Sequence, residues 1–225
     1  MKRLNLGSSH KLLPDYINVD LEPLSGAEVI HDLNVAPWPF EDNSVSEINM
    51  SHILEHLGET VAQFRTVMQE MYRVCCDGAV IHIAVPSVWC NNFVSDPTHV
   101  RPITHDLLIL FSKKACADLK AQGAANTPLA VYWQVDYEIT RSNVLIDPLY
   151  HDYINQPGFD EMMRSKLNII VELQFDLRVV KDDPEAARRA GVIRDYNPET
   201  DGDVKGIEDA TDEVRVLQPH LSGGL

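Results

Sequence analysis

The stretch KRLNLGSSHKLLPDYINVDLEPLSGAEVIHDLN (2–34) decides the fold. It holds three short apolar-rich runs, 2–6, 16–19 and 28–30, and each stops at small or polar residues: Gly7-Ser8-Ser9, Asp20 and His31-Asp32. Short runs closed by turn residues read as strands. Outward from there, 46–50 is another strand candidate, behind a Pro-rich segment at 36–40 and the turn residues Asp42-Asn43. Ile53, Leu57, Val61, Phe64, Met68, Met71 and Val74 then recur at spacings of three or four, which predicts a helix, with Gly78 as its stop. The run 79–85, closed by Pro86, reads as a fully buried, parallel-type strand. Strands alternating with turns and helices predict a Rossmann-like, doubly wound α/β domain with a mostly parallel sheet, an antiparallel edge and three αβα layers. The first strands are so close in sequence that some crossovers must be short or irregular.

Beyond Pro86 the pattern loosens. The segment 91–102 reads as a polar loop, 104–119 as a helix, and 129–139 and 167–180 as two late strands pairing antiparallel at the sheet edge. Between them, 147–165 reads as loop plus a short helix. The domain is expected over 1–180. From 181 to 225 acidic residues outnumber basic ones and apolar residues thin out, so an acidic extension without its own core is expected. Asn197, Glu199, Asp201, Gly202 and Glu208 there imitate the spacing of a calcium loop, but the first place wants Asp, and a solvated tail is the expectation.

A net charge of −15 repels phosphate backbones, which argues against a nucleic-acid partner. No segment approaches the roughly 20 apolar residues of a membrane span, and the N-terminus has no apolar run of a signal peptide. The four cysteines, Cys75, Cys76, Cys90 and Cys116, match no zinc or redox spacing and read as reduced, buried thiols of a cytoplasmic protein.

An open α/β sheet binds ligands at the carboxyl ends of its parallel strands. Leu6, Gly7 and Ser8 end the first strand, where glycine admits a ligand close to the backbone and free N–H groups can meet a carboxylate. Asp20 ends the second and can accept both hydroxyls of a ribose. Asp32 and Leu33 follow the third, an acceptor for an adenine amino group beside an apolar surface. Ser51 and His52 end the fourth. Together they outline an adenosine-shaped site with a polar end for an amino acid.

In LNLGSS (4–9), YINVD (16–20), HDLN (31–34), PWPFEDNSVSEI (37–48), SHILEHL (51–57), the run 71–86, DPTHVRPIT (96–104) and NIIVELQFDLRVVK (168–181), the chain resembles the compact class I methyltransferases of type 11. The resemblance implies transfer of a methyl group from S-adenosylmethionine, leaving S-adenosylhomocysteine, to a small-molecule or glycan-like acceptor through O or N. It implies that Gly7 and Ser8 hold the methionine portion, Asp20 the ribose, Asp32 and Leu33 the adenine, and that Ser51 and His52 flank the sulfonium. The chain departs from the family in the glycine-rich turn, where Gly7-Ser8-Ser9 replaces two or three glycines. Ser9 suits the turn at negative φ; a positive φ there would weaken cofactor binding. A base can come from His52, His56, Asp96 or His99, with His52 and His99 the first candidates for catalysis, and Asp96 and Arg101 are candidate substrate contacts.

Three other readings compete. His52-Ile53-Leu54-Glu55-His56 matches the H-x-x-E-H of some zinc peptidases, but it opens a helix after a strand, as the methyltransferase-like motif does, and no metal is expected. A nicotinamide-dependent dehydrogenase would want G-x-G-x-x-G, which is missing. A methyltransferase-like fold that binds a nucleoside or a partner protein without catalysis is favoured by the thin glycine turn.

Overall fold

The computed structural model describes residues 1–181. The opening apolar run forms β1 (Lys2–Leu6) in the middle of a seven-stranded sheet. β2 (Ile17–Asp20) and β3 (Val29–Ile30) lie on one side of it, and β4 (Val45–Ser51) and β5 (Cys75–Pro86) on the other. β6 (Tyr137–Ile146) is the far edge, with β7 (Ile170–Val179) between it and β5. The order is β3-β2-β1-β4-β5-β7-β6; β1 to β5 are parallel and β7 is antiparallel to both neighbours. This is the expected Rossmann-like sheet with an antiparallel edge and flanking helices.

The early crossovers are as short as the sequence requires. Residues 7–16 contain no helix, and 21–28 contain one 3-10 turn, Pro23–Ser25. The first true helix, α1 (Val61–Val74), links β4 to β5. It begins later than the periodicity from Ile53 predicts, because Gly58 breaks the run. At φ +72 its backbone passes so close to Phe64 that a Cβ would lie 2.5 Å from Phe64 Cα. Thr60 and Gln63 then close a capping box, each satisfying a backbone N–H of the other. Leu54–His56 is a separate 3-10 turn. α1 buries Phe64, Val67, Met68, Met71 and Val74, each contributing about 1.5–3 kcal/mol by leaving water.

Several expected elements shift. α1 ends at Val74, and Gly78 instead sits in a bulge of β5, where pairing with β4 jumps from Val45↔Cys75 to Glu47↔Val80. Residues 91–94 form a short helix, α2 (Asn91–Val94), inside the expected loop. The helix expected over 104–119 is two, α3 (His105–Ile109) and α4 (Lys113–Ala121), because the Ser112 hydroxyl caps a new start at Ala115 N–H. The apolar run expected as a strand from 129 opens as α5 (Leu129–Tyr132), and β6 starts only at Tyr137. Between β6 and β7 come a 3-10 turn, Pro148–Tyr153, and α6 (Phe159–Ser165), as expected. The acidic extension and its calcium-like spacing lie, beyond Lys181, outside the described residues.

The two faces of the sheet differ. One rung of paired residues reads Ile17, Leu4, Ile48, Ile81, Leu177 and Ile139 across six strands, and it faces the main core with α1 and the aromatic trio Phe64, Phe111 and Trp133. The next rung reads Asn18, Asn5, Asn49, His82, Asp176 and Arg141, and is polar throughout. Asn5 Nδ2 donates to Asn18 Oδ1 at 2.8 Å, Asn49 Nδ2 to Asn5 Oδ1 at 2.8 Å, and Asp176 takes His82 Nδ1 at 2.8 Å and Arg141 Nε at 2.7 Å. β5 is therefore buried on one face only, which corrects the fully buried strand expected from its apolar run. All four cysteines are free, as expected. No helix among the described residues is long and apolar enough to cross a membrane.

Candidate active site

The carboxyl ends of β1 to β4 are knitted into one floor. Leu6 is buried in the core and brings Gly7 to the surface turn. Gly7 sits at φ +65 with its α-carbon against the β4 end; a Cβ there would fall 2.5 Å from Ile53 Cγ1. Ser8 is buried, its N–H donates to Val19 O at 3.1 Å, and its Oγ has no hydrogen-bond partner. Ser9 adopts φ +44, the left-handed region that the sequence reading flagged as unfavourable there. Its N–H compensates by donating to Asp20 Oδ2 at 2.7 Å, while Glu22 N–H donates to Asp20 Oδ1 at 2.8 Å. Asp20 thus ties two loops together and keeps lone pairs on each oxygen.

The third and fourth strand ends complete the floor. His31 N–H donates to Asp20 O at 2.9 Å, and Asp32 Oδ1 accepts Asn34 N–H at 2.9 Å. Leu33 turns into the core at 5% exposure and accepts Trp38 Nε1–H on its carbonyl, so Asp32 rather than the Leu33 side chain borders solvent. Asn34 Oδ1 receives Gly58 N–H at 2.8 Å. Ser51 is exposed, and His52 takes φ +54, pinned by its N–H on Ala84 O at 2.8 Å. Backbone outliers of this kind concentrate at functional sites.

Around His52 the structure assembles residues that the sequence reading missed. His52 Nε2 meets Glu172 Oε2 at 2.8 Å, and Nδ1 lies 3.5 Å from Glu55 Oε1. Glu172, the third residue of the antiparallel β7, pairs with Pro86, so it reaches the same end of the sheet as β4 and β5. Glu55, expected on a helix face, is fully buried, and neither of its carboxylate oxygens has a hydrogen-bond partner among the described residues. The Glu55 carboxylate 3.5 Å away, opposed by partial burial and reinforced by the Glu172 hydrogen bond, raises the His52 imidazole above its ordinary value.

The segment 93–101, from the end of α2 onward, lies over this floor. Val100 N–H and Arg101 N–H both donate to Glu55 O, at 3.0 and 3.1 Å. His99 is turned inward, its side chain 9% exposed and its Nδ1 on Phe93 O at 2.8 Å. Asp96 accepts Thr98 N–H and Oγ1–H, and those bonds hold its carboxyl below the ordinary carboxylate value. Arg101 stacks over Phe64 at 4.2 Å and donates to Gly58 O at 2.6 Å. Its Nε is buried without a partner, it has no ion-pair partner among the described residues, and burial lowers its pKa.

No protein-family model and no curated protein matches the chain. Among solved structures it resembles a SAM-dependent methyltransferase from Archaeoglobus fulgidus, at 17% identity over 79% of this chain and 86% of that one, with a TM-score of 0.53. It also resembles a SAM-dependent methyltransferase from Methanosarcina mazei, at 10% identity over 80% and 93%, with a TM-score of 0.48. The fold is the Rossmann-like fold of class I methyltransferases.

Proposed function

We propose that this chain transfers a methyl group from S-adenosylmethionine to a small or medium-sized acceptor. The observation that carries the reading is Asp20 at the carboxyl end of β2, bridged through Ser9 N–H to the Gly7 turn of β1. That is where an open sheet of this order holds a nucleoside. The cofactor supplies a sulfonium methyl that is already electrophilic. Asp20 keeps acceptor capacity for the ribose hydroxyls, Asp32 for the adenine amino group, and the orphaned Ser8 Oγ and the Gly7 backbone border the amino-acid end. His52, exposed between Glu55 and Glu172, takes the acceptor's proton where a hydroxyl or ammonium is methylated. His99, turned inward from the segment above the floor, is too enclosed for that part. Arg101 has no anionic partner among the described residues, which favours an acceptor bearing an acidic group, with Asp96 at the rim of the same loop.

A second reading, a non-catalytic nucleoside binder, draws on the left-handed Ser9 and on the backbone amides already held by Asp20. Calorimetry with S-adenosylmethionine and S-adenosylhomocysteine tests both. Saturable binding that Asp20→Asn weakens by about 1–3 kcal/mol supports the site. Wild-type protein that binds neither molecule, or a variant that binds both unchanged, refutes it. Binding with no S-adenosylhomocysteine formed from any acidic or neutral glycan acceptor selects the non-catalytic reading.

A further inference from the structure

The buried Glu55 carboxylate sits among imidazoles. One ligand atom from each of Glu55, His56 and His99 lies within 4.8 Å of the others. Glu55 Oε1 is 4.0 Å from His99 Nε2, and the His56 and His99 rings meet edge to face at 4.6 Å. Neither oxygen has a hydrogen-bond partner among the described residues, the nearest imidazole nitrogen, His52 Nδ1, stands off at 3.5 Å, and a fully buried ionised carboxylate is costly unless a cation compensates it.

The hydrogen bonds outside the trio settle which ring nitrogens are free. Phe93 O can only accept, so His99 Nδ1 carries the proton and Nε2 keeps its lone pair. Thr98 Oγ1 donates to Asp96 Oδ1 at 2.6 Å and therefore accepts from His56 Nδ1–H at 2.9 Å, which leaves His56 Nε2 with its lone pair. Metal-bound histidines are fixed in this way, the distal N–H given to a carbonyl or to a group backed by a carboxylate. We propose that Glu55, His56 and His99 form a binding site for a divalent transition-metal ion of the zinc class.

Two imidazoles and one carboxylate suit such an ion and leave a fourth position open. Metal–ligand distances of about 2.0–2.1 Å put tetrahedral donors roughly 3.3 Å apart, so the three donors, 4.0 Å apart for Glu55 and His99 and within 4.8 Å throughout, would draw together by side-chain rotation on binding. Asp96 Oδ2, 3.9 Å from His99 Nε2, borders the open side. The H-x-x-E-H spacing thus supplies two ligands, but its second histidine partners His99, not His52. The bound ion would clamp the 93–101 loop to the 3-10 turn Leu54–His56, which the two backbone bonds onto Glu55 O already join. The site does not depend on methyl transfer. The competing arrangement is an ion pair between Glu55 and protonated histidines, which needs no metal.

The test is a Zn2+ titration of the full chain after chelator treatment, by calorimetry and thermal melting. We expect one equivalent to bind saturably and raise the melting temperature. His99→Ala and His56→Ala should lose that equivalent, and the exposed His105→Ala should keep it. Thr98→Val keeps side-chain volume at an exposed position and should weaken binding by about 10–100-fold through loss of the His56 anchor. Absence of a stoichiometric equivalent in the wild type overturns the proposal. So does wild-type affinity in both histidine variants, or in Thr98→Val should the histidine variants fail to fold.

Discussion

Replacing Gly7 by alanine probes the closest approach in the site. The new methyl group faces two costs. At φ +65 an L-residue is disfavoured by about 1–2 kcal/mol. Its Cβ would also lie 2.5 Å from Ile53 Cγ1 and 2.7 Å from Ile53 Cβ and Cδ1. Overpacking of this kind adds about 1–3 kcal/mol, so Gly7→Ala should cost about 2–5 kcal/mol in all. Urea unfolding followed by far-UV circular dichroism measures it. Ile53→Ala removes Cγ1 and Cδ1 but keeps Cβ, so in that background Gly7→Ala should cost less. The double-mutant cycle should return a coupling of about 0.5–3 kcal/mol. Additive effects, or a neutral Gly7→Ala, would mean that the β1 turn and the β4 end do not touch as described, and the shared floor of the proposed nucleoside site would fall with them.

Two further outcomes follow from buried groups. Burial alone would push Glu70 up, but hydrogen bonds from Arg73 and from Trp38 N–H outweigh it and hold the carboxyl below its ordinary value. A group depressed in the folded state adds stability above its unfolded pKa and loses it as pH falls through the folded one. The urea midpoint should therefore drop on acidification through the carboxylate range, and Glu70→Gln should flatten that drop while costing about 1.5–3 kcal/mol at neutral pH; superimposable pH profiles would contradict it. Burial pushes the Cys75 thiol up to about 12, and Cys90 and Cys116 are also enclosed. A thiol reagent should label the half-exposed Cys76 first in folded protein, and Cys76→Ser should abolish that fast phase.

Much of the sheet was legible because its strands are short apolar runs stopped by Gly7, Asp20, His31 and Ser51, residues at the carboxyl edge where the cofactor site is proposed. What was hidden was hidden for physical reasons. The periodicity of α1 runs on through Ile53 and Leu57, so only the Gly58 turn and the Thr60–Gln63 capping pair mark where it starts. β6 is a largely exposed edge with polar residues at 140–143 and no apolar signature, whereas the apolar 129–132 looked like strand and is helix. Glu55 could be seen in its motif, but its burial depends on Val100 and Arg101 bonding to its backbone across the fold, a tertiary fact that local spacing does not carry. Glu172 was masked by the apolar residues around it in β7, Ile170, Val171 and Leu173.

The polar rung has a consequence for how the chain finds its alignment. Alternation of apolar and polar residues detects a one-residue slip of a strand, because every side chain changes face. A slip of two residues restores the alternation and passes that test. The line Asn18, Asn5, Asn49, His82, Asp176 and Arg141 exists at a single level of the sheet, so a two-residue slip of β1 would set Arg3 or Gly7 where Asn5 must meet Asn18 and Asn49. Each buried amide group stranded that way costs about 1–3 kcal/mol. These side chains act as a registration mark, read between strands as far apart in sequence as Asn5 and Asn49, and a two-residue insertion inside β1 should be far less tolerated than one in the loop that follows it.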